Sequence, residues 1–279
     1  MKHQTFQLGL GKENRIIRGD VRVPATDRPH PVLILCHGFK GFKDWGMFPY
    51  AADTLARIGF AVLTFNFSMN GVGEDPEAFT ELEKFAQNTY SRGQEDLTFL
   101  LEKITAGELP LAEAMDPERL GIIGHSRGGA ESLLFALDES RIQGVALWNS
   151  IARLDLFSDN FKAELREKGR AFIPNARTGQ NMPINREVLE DLEANRDRFD
   201  ILGRLPSFNR PLLIIQGDAD QAVPVETAES LKERAKQAEL HILPGADHTF
   251  GTIHPFAGST PHFNRVLEIT SRFFRENFN

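Results

Sequence analysis

The chain has 279 residues, of which 41% are hydrophobic and 25% are charged. These proportions are typical of a soluble globular protein that buries a sizeable core, and the length fits either one α/β domain or two smaller domains. The formal net charge of −7 argues against nucleic acid or an anionic membrane as the main partner. Small neutral or weakly anionic molecules remain open as ligands.

Cysteine content and hydropathy indicate the cellular compartment in which the protein is expected. The one cysteine, Cys36, has no partner for an internal disulfide and lies in an apolar run, so we expect it to be a small buried side chain. The first residues lack the continuous apolar stretch of a signal peptide, and no later run is long enough to cross a bilayer. We therefore expect a cytoplasmic protein without membrane contact, either a monomer or a homodimer.

Strand and helix patterns alternate along most of the chain. Residues 5–10 and 15–23 are predicted to be antiparallel strands joined by a turn. Beyond them, short apolar runs predict strands and apolar residues at helical spacing predict helices. The strands cover residues 32–36, 61–65, 120–123, 145–148, 212–215 and 240–243, and the helices centre on 51–58, 97–104 and 266–274. This alternation indicates a mostly parallel central sheet with helices on both faces.

A sequence of glycines surrounds Ser126 at a predicted strand-to-helix corner. The motif GHSRG occupies residues 124–128, directly after the apolar run 120–123 and before the helical pattern that starts at Gly129. Glycines two residues before and after the serine let the strand and helix backbones approach each other. The corner would present the Ser126 hydroxyl outward at a helix N-terminus, where developing negative charge is favoured. The alternative is that Ser126 only caps the helix.

The connection between the strands at 145–148 and 212–215 is too long for an ordinary loop. It holds ten basic and ten acidic residues among the 52 positions from Arg153 to Arg204, and helical patterns at 161–165 and 188–192. A Pro- and Asn-containing loop at 173–183 is expected between them. We interpret residues 151–205 as a cap, or lid, inserted into a core formed by residues 1–150 and 206–279. A solvated excursion without a role in binding is the alternative.

Two later strands end in residues that a serine nucleophile needs. The strand at 212–215 is followed by Asp218 and Asp220, and the strand at 240–243 is followed by Asp247 and His248. A serine hydroxyl requires a base whose pKa lies near the working pH, which is the property of histidine. His254 and His262 follow in the same loop and are the competing bases. Because ligands of open sheets bind beyond the carboxyl ends of the strands, these residues are predicted to converge there.

These motifs, in this order, resemble those of the α/β-hydrolases. Within that superfamily the HGF turn at 37–39, the GHSRGG motif at 124–129 and the GDAD motif at 217–220 resemble the dienelactone-hydrolase-like and cinnamoyl (feruloyl) esterase group. The resemblance spans nearly the whole chain and implies an α/β-hydrolase fold with the chain order Ser, Asp, His. It implies Ser126 as nucleophile, His248 as base and Asp220, ahead of Val223 and Pro224, as the acid. Asp218 is expected to cap its own turn, and Asp247 to be solvated.

The resemblance also implies an oxyanion hole and a substrate class. The backbone N–H groups of Phe39 and Arg127 are the candidate donors, whereas the Arg127 side chain is expected to make a surface or cap contact. By their positions in the sequence, Phe42 and Trp45 after the HGF turn and Trp148 at the end of a strand are candidate substrate-binding aromatics, with packing in the core as the alternative. The implied substrates are small carboxylic esters, including hydroxycinnamoyl esters.

Three alternatives stay open, namely a serine peptidase or a thioesterase of the same fold, or a non-catalytic ligand receptor. No metal or cofactor is expected, because metal-binding and phosphate-binding motifs are absent from the sequence.

Overall fold

The computed structural model describes residues 1–26, 28–75 and 78–278. Within these residues the strands are β1 (Lys2–Gly9), β2 (Ile16–Val23), β3 (His30–Cys36), β4 (Ala61–Asn66), β5 (Met115–His125), β6 (Ile142–Trp148), β7 (Arg170–Pro174), β8 (Asn181–Asn185), β9 (Leu212–Gly217) and β10 (Glu239–Leu243). The α-helices of the same residues are α1 (Met47–Arg57), α2 (Leu82–Ala86), α3 (Tyr90–Thr105), α4 (Arg127–Asp138), α5 (Asp159–Lys168), α6 (Arg186–Ala194), α7 (Ile201–Arg204), α8 (Val225–Arg234) and α9 (Pro261–Asn277).

Eight of the described strands form one sheet, in the order β1-β2-β4-β3-β5-β6-β9-β10. β1 pairs antiparallel with β2, and β2 with β4, while the remaining neighbours are parallel. Parallel strands have to be covered on both faces, and β4 and β9 are accordingly buried along their whole length. The predicted mostly parallel sheet is confirmed, with the N-terminal hairpin as its antiparallel edge.

Helices cover both faces of the sheet because successive strand residues point to opposite sides. In β3, Ile34 belongs to a buried cluster that contains apolar residues of α3, α4 and α8. Its neighbours Leu33 and Leu35 belong to a second cluster, which contains residues of α1 and α9. The long apolar stripe of α9, including Phe263, Val266 and Phe274, is the docking face that the sequence predicts.

The insertion contains a β-hairpin at the place where a loop was expected. β7 pairs antiparallel with β8, so that Ala171 faces Ile184 and Ile173 faces Met182. Ala171, Met182 and Ile184 are buried, whereas Phe172 between them is 55% exposed. This alternation of buried and exposed residues is typical of a strand pair with one covered face. The alternating stretch is short and is interrupted by proline and asparagine, which is why the sequence favoured a loop. The two helical patterns predicted in the insertion lie within α5 and α6.

The inserted segment packs against the rest of the chain in its middle part and at its C-terminal end. One buried cluster joins its residues to the loops and the short helix α2 that precede it, and its members include Phe42, Phe79, Phe85, Leu165, Met182 and Val188. At the C-terminal end, Ile201 and Leu205 are part of the main core. The division into a core and a cap at residues 151–205 stays a prediction. The contacts indicate a segment whose position is determined by apolar packing.

Candidate active site

Ser126 occupies a sharp corner between β5 and α4. Its backbone dihedral angles are φ 56° and ψ −122°, a combination that costs a non-glycine residue about 1–3 kcal/mol. A Cβ atom on Gly124 would lie 2.1 Å from the carbonyl oxygen of Gly128, and one on Gly128 would lie 2.4 Å from the carbonyl oxygen of Cys36. Only glycine fits at both positions, so the motif at 124–128 is explained by the close approach of three backbone segments.

The hydroxyl of Ser126 lies at the end of a chain of polar contacts. Its Oγ is 3.1 Å from Nε2 of His248, and Nδ1 of the same imidazole is 2.7 Å from Oδ2 of Asp220. The Asp220 side chain is fully buried, whereas that of His248 is 27% exposed, and Ser126 is half-buried. The three residues come from the carboxyl ends of β5, β9 and β10, which lie along one edge of the sheet.

Both oxygens of Asp220 are held by hydrogen-bond donors. Oδ1 accepts from the backbone N–H groups of Ala222 at 2.8 Å and Val223 at 2.9 Å. Burial by itself would raise the pKa of Asp220, but the hydrogen bond to His248 and these backbone donors outweigh it, so that the pKa lies below its ordinary value. The carboxyl group is therefore ionised at neutral pH and is available to stabilise a positive charge on the imidazole.

The competing carboxylates cap turns instead. Asp218 Oδ1 accepts from the backbone N–H of Gly245 at 2.6 Å, so it caps a neighbouring loop and not, as the sequence predicts, its own turn. Asp247 is exposed, and its Oδ1 accepts from the N–H groups of Thr249 and Gly251.

The competing histidines also contact other groups. Nδ1 of His254 accepts from the backbone N–H of Gly46, and His262 Nε2 lies 3.0 Å from the carbonyl oxygen of Pro244.

The two candidate oxyanion donors flank the serine. Phe39 lies in the turn after β3, and Arg127 is the first residue of α4. A Cβ atom on Gly38 would lie 3.1 Å from Cβ of Ser126, which shows how closely this turn approaches the corner. Among residues 1–26, 28–75 and 78–278, no acceptor is found for the backbone N–H of Phe39 or Arg127. Both groups can therefore donate to a bound molecule.

Two of the predicted substrate-binding aromatics are buried in the protein, which corrects that part of the prediction. Trp148 is fully buried, packs edge-on against Phe263 and donates from Nε1 to Thr270 Oγ1 at 3.0 Å. The alternation of β6 directs it toward α9. Phe42 is also fully buried, in the cluster beneath the inserted hairpin. Trp45 is half-buried and stacks on the imidazole of His254, with 6.0 Å between the ring centroids.

Asn149 has a structural role at the site that the sequence did not reveal. Its Nδ2 donates to the carbonyl oxygens of Asp247 at 3.0 Å and His248 at 2.9 Å, and its Oδ1 accepts from the N–H of Gly217 at 2.8 Å. One amide thereby ties the loop that carries the imidazole to the end of β9. A polar residue directly after the apolar run of β6 was the available signal.

His125, next to the nucleophile in sequence, supports the same loop. Its Nε2 lies 2.8 Å from the carbonyl oxygen of His248, and the two imidazole centroids are 4.8 Å apart. Burial lowers the pKa of His125 to about 3, and the neighbouring His248 contributes in the same direction. The ring is therefore neutral at physiological pH, and its Nε2–H can donate to the carbonyl group.

A cavity of about 240 Å³ adjoins the polar contacts. Its lining is mixed, with the apolar residues Ile151, Leu156, Leu202 and Val223 and the polar residues Arg153, Glu226, Thr227 and Ser230. Two of its lining residues contact the polar site through their backbones, since the Ile151 N–H donates to the carbonyl oxygen of Ser126 at 3.4 Å and the Val223 N–H donates to Asp220. This volume suits a small organic group more than an extended polymer.

The described residues also bear on thiol, metal and membrane sites. Cys36 is buried there, and burial raises the pKa of its thiol to about 12. Within residues 1–26, 28–75 and 78–278, no group of three or more His, Cys, Asp or Glu side chains is arranged to hold a metal ion. None of the helices in these ranges combines the length and hydropathy that crossing a bilayer requires.

Comparison with known proteins places the chain in a family. A family model described as alpha/beta hydrolase fold matches residues 31–172, just over half of the chain. An uncharacterized 31.7 kDa protein of Escherichia coli is 23% identical over 290 aligned positions, which cover 92% of this chain and 94% of that protein.

Solved structures share the same fold. Est1E from Butyrivibrio proteoclasticus with bound ferulic acid gives a TM-score of 0.71 at 20% identity, covering 95% of this chain and 96% of that one. Dienelactone hydrolase from Anabaena variabilis gives a TM-score of 0.63 at 16% identity, covering all of both chains. Such similarity at low identity shows a common fold. Together with the family match, it establishes that the chain belongs to the family of proteins with the alpha/beta hydrolase fold.

Proposed function

We propose that the protein is a serine hydrolase that cleaves small carboxylic esters through an acyl-enzyme intermediate. The observation that carries the proposal is the pair of contacts from His248, 3.1 Å to Ser126 Oγ and 2.7 Å to Asp220 Oδ2. This is the arrangement in which an imidazole removes the hydroxyl proton while a carboxylate holds its other nitrogen. Three residues so far apart in sequence would meet in this geometry for few other reasons.

In the first half of the proposed reaction, Ser126 Oγ attacks the ester carbonyl carbon while its proton passes to Nε2 of His248. The ionised Asp220 stabilises the imidazolium through Nδ1–H. The carbonyl oxygen becomes an oxyanion that accepts hydrogen bonds from the backbone N–H groups of Phe39 and Arg127. Collapse of this intermediate breaks the bond to the alcohol oxygen, and the imidazolium returns its proton to the departing alcohol.

In the second half, water replaces the alcohol. His248 removes a proton from the water as its oxygen attacks the acyl carbon, and a second oxyanion forms in the same hole. Collapse releases the carboxylic acid and returns the proton to Ser126 Oγ, so the enzyme ends as it began. No redox change occurs in either half, and every proton that leaves the serine or the water passes through one imidazole.

The proposed substrates are aromatic acyl esters. Ferulic acid is bound in the similar Est1E structure, which makes aromatic acyl esters the first class to test. In this chain, the cavity of about 240 Å³ that Ile151 and Val223 help to line is the candidate pocket for the acyl group. Trp45, half-buried and stacked on His254, is the one predicted aromatic that still presents a surface. Peptides, thioesters and non-catalytic ligand binding are the competing possibilities.

Labelling with a fluorophosphonate tests the nucleophile. The wild-type protein is expected to be labelled and Ser126→Ala is not. Ser207→Ala is the matched control, because Ser207 is exposed and its hydroxyl donates to the backbone carbonyl of Arg204 in the same turn. Labelling that survives in Ser126→Ala, or a wild-type protein that reacts with neither probe nor ester, would refute the proposal.

A substrate panel then tests the reaction class. p-Nitrophenyl acetate, a p-nitrophenyl hydroxycinnamate, a peptide anilide and an acyl thioester are compared by kcat/KM. We expect the two esters to be preferred by at least tenfold, with all four rates abolished in Ser126→Ala. Preference for the anilide would assign a peptidase instead, and preference for the thioester would assign a thioesterase.

A further inference from the structure

The side chain of Arg127 forms a buried network that the proposed reaction does not use. It is only 12% exposed, although the sequence predicts a surface or cap contact. Its Nε and Nη2 lie 3.3 Å and 3.2 Å from Oε1 of Glu131, one turn later in α4. Nη2 also donates to the backbone carbonyl of Asn88 at 3.1 Å and to its side-chain Oδ1 at 3.2 Å. One guanidinium therefore connects the first turn of α4 to the segment that precedes α3.

The same guanidinium contacts two aromatic rings. Its central carbon lies 4.2 Å from the ring centroid of the buried Tyr90 and 5.6 Å from that of Phe39. Contacts of this length with a ring face are attractive, and more so where water is excluded. The contact with Phe39 is the informative one, because Phe39 supplies the other candidate oxyanion donor. A single side chain thus reaches from one proposed donor residue to the other.

Glu131 is itself held in place. Its side chain is 3% exposed, and its Oε2 accepts from Nε2 of Gln94 on α3 at 2.9 Å. The carboxyl group also lies close to the backbone of Gly93, where a Cβ atom would be 2.8 Å from the same oxygen, so only glycine fits opposite it. Arg127 is consequently anchored to a carboxyl group whose position is set by the packing of α3 on α4.

We propose that the Arg127 side chain, anchored by Glu131, is a positioning residue that holds the backbone N–H groups of Arg127 and Phe39 in register for the oxyanion. This inference rests on the proposed serine-hydrolase function. A small rotation of the first peptide of α4 would turn the Arg127 N–H away from the oxyanion, and release of the Phe39 ring would free the opposite turn. Loss of one oxyanion donor costs about 10²–10³-fold in kcat, so partial misplacement of two donors is expected to cost about 10–100-fold.

The test compares ground-state and transition-state binding in Arg127→Met. KM for the preferred ester is expected to change by less than about threefold, while kcat falls by about 10–100-fold. An aryl boronic acid, which forms a tetrahedral adduct with the serine, is expected to bind more weakly by about the same factor as kcat falls. A merely structural residue would lower the amount of folded protein without changing the ratio between boronate affinity and KM.

Arg210→Met is the matched control. The Arg210 guanidinium donates to the carbonyl groups of Glu139 and Ile142 and lies 4.7 Å from the ring centroid of Phe208. It therefore makes backbone-carbonyl and aromatic contacts like those of Arg127, at the opposite end of α4. We expect Arg210→Met to lower the melting temperature and to leave kcat and boronate affinity per folded molecule unchanged. An equal loss of kcat in both variants would overturn the proposal.

Two further variants separate positioning from charge. Arg127→Lys keeps the charge but loses the planar fork, so it is expected to retain most of the defect. Full activity in Arg127→Lys would overturn the proposal. The same variant provides the test if Arg127→Met does not fold.

Glu131→Ala is expected to reproduce the loss of kcat, and the double variant Arg127→Met/Glu131→Ala to lose no more than Arg127→Met alone. Additive losses would overturn the inference. If the wild-type protein hydrolyses esters and Arg127→Met keeps its kcat, this inference alone fails. If the wild-type protein neither hydrolyses esters nor binds the boronate, the proposed function fails with it.

Discussion

The buried carboxyl group of Glu131 is expected to make a contribution to the stability of this protein that falls as pH rises. Burial raises the pKa of Glu131 to about 7 from an ordinary value of 4.5, and the opposing effects of Arg127 and Gln94 do not restore it. The folded state therefore binds a proton between these values that the unfolded state has already released. The stabilisation is fully present below pH 4.5 and is lost as pH rises through about 7.

The size of the effect follows from the same two pKa values. Each pKa unit corresponds to about 1.4 kcal/mol, so the complete change is about 3 kcal/mol, and the part between pH 5 and pH 8 is about 2–3 kcal/mol. The free energy of unfolding is measured by urea titration at both pH values for the wild type and Glu131→Gln. Between pH 5 and pH 8, the free energy of unfolding of the wild type is expected to fall by this amount relative to that of Glu131→Gln.

Glu139→Gln provides the control for this experiment. Hydrogen bonds with Arg141 hold the pKa of Glu139 below its ordinary value, so this carboxyl group is ionised across most of the window in both the folded and the unfolded state. Its substitution is expected to leave the pH dependence nearly unchanged. Stability curves of the wild type and Glu131→Gln that run parallel from pH 5 to pH 8 would refute the reasoning.

Three substitutions test the site and its supports. Asp220→Asn is expected to lower kcat for ester hydrolysis by about 10³–10⁴-fold in a folded protein, and a change confined to KM would contradict the assigned role. Asn149→Ala leaves the N–H of Gly217 and the carbonyl of His248 without this partner. This substitution should lower the free energy of unfolding, measured in urea, by about 1–3 kcal/mol and lower kcat about tenfold. If both values were unchanged, Asn149 would not support the loop that carries His248. Gly128→Ala would place Cβ 2.4 Å from two backbone oxygens, so we expect little folded protein. Gly9→Ala, with nothing within 4 Å of the new Cβ, should match the wild type in yield and melting temperature.

Local patterns were sufficient to predict the order and type of most elements. Continuous apolar runs predicted the buried parallel strands β3, β4 and β9, and apolar residues at helical spacing predicted α3 and α9. The hairpin of β7 and β8 was missed, because a strand pair of five residues each, with prolines in both strands, carries too few alternating positions to be distinguished from a loop.

Parts of the site could be predicted where the backbone geometry allows only one residue type, such as glycine. Glycines at 124 and 128 are required because any side chain there would collide with another backbone segment. That requirement identified the corner that presents Ser126. The strand ends that follow it then indicated where a histidine and a carboxylate would lie, although their catalytic roles stay a proposal.

Side-chain partners, in contrast, were decided by packing between distant segments. The sequence offers Asp218, Asp220 and Asp247 as neighbours of the imidazole, and Asp220 is the carboxylate that contacts it. Trp148 is turned into the core by the face of β6 on which it lies, and Arg127 is turned inward by Glu131 and Asn88.

The sequence alone therefore determined which backbone segments form strands, helices and a glycine-lined corner, because steric limits and hydrophobic periodicity act within a few residues. Which polar side chains meet was decided only when the sheet brought the ends of β5, β6, β9 and β10 to one edge. A hydrogen bond depends on tenths of an ångström between atoms more than one hundred residues apart, as between Ser126 and His248.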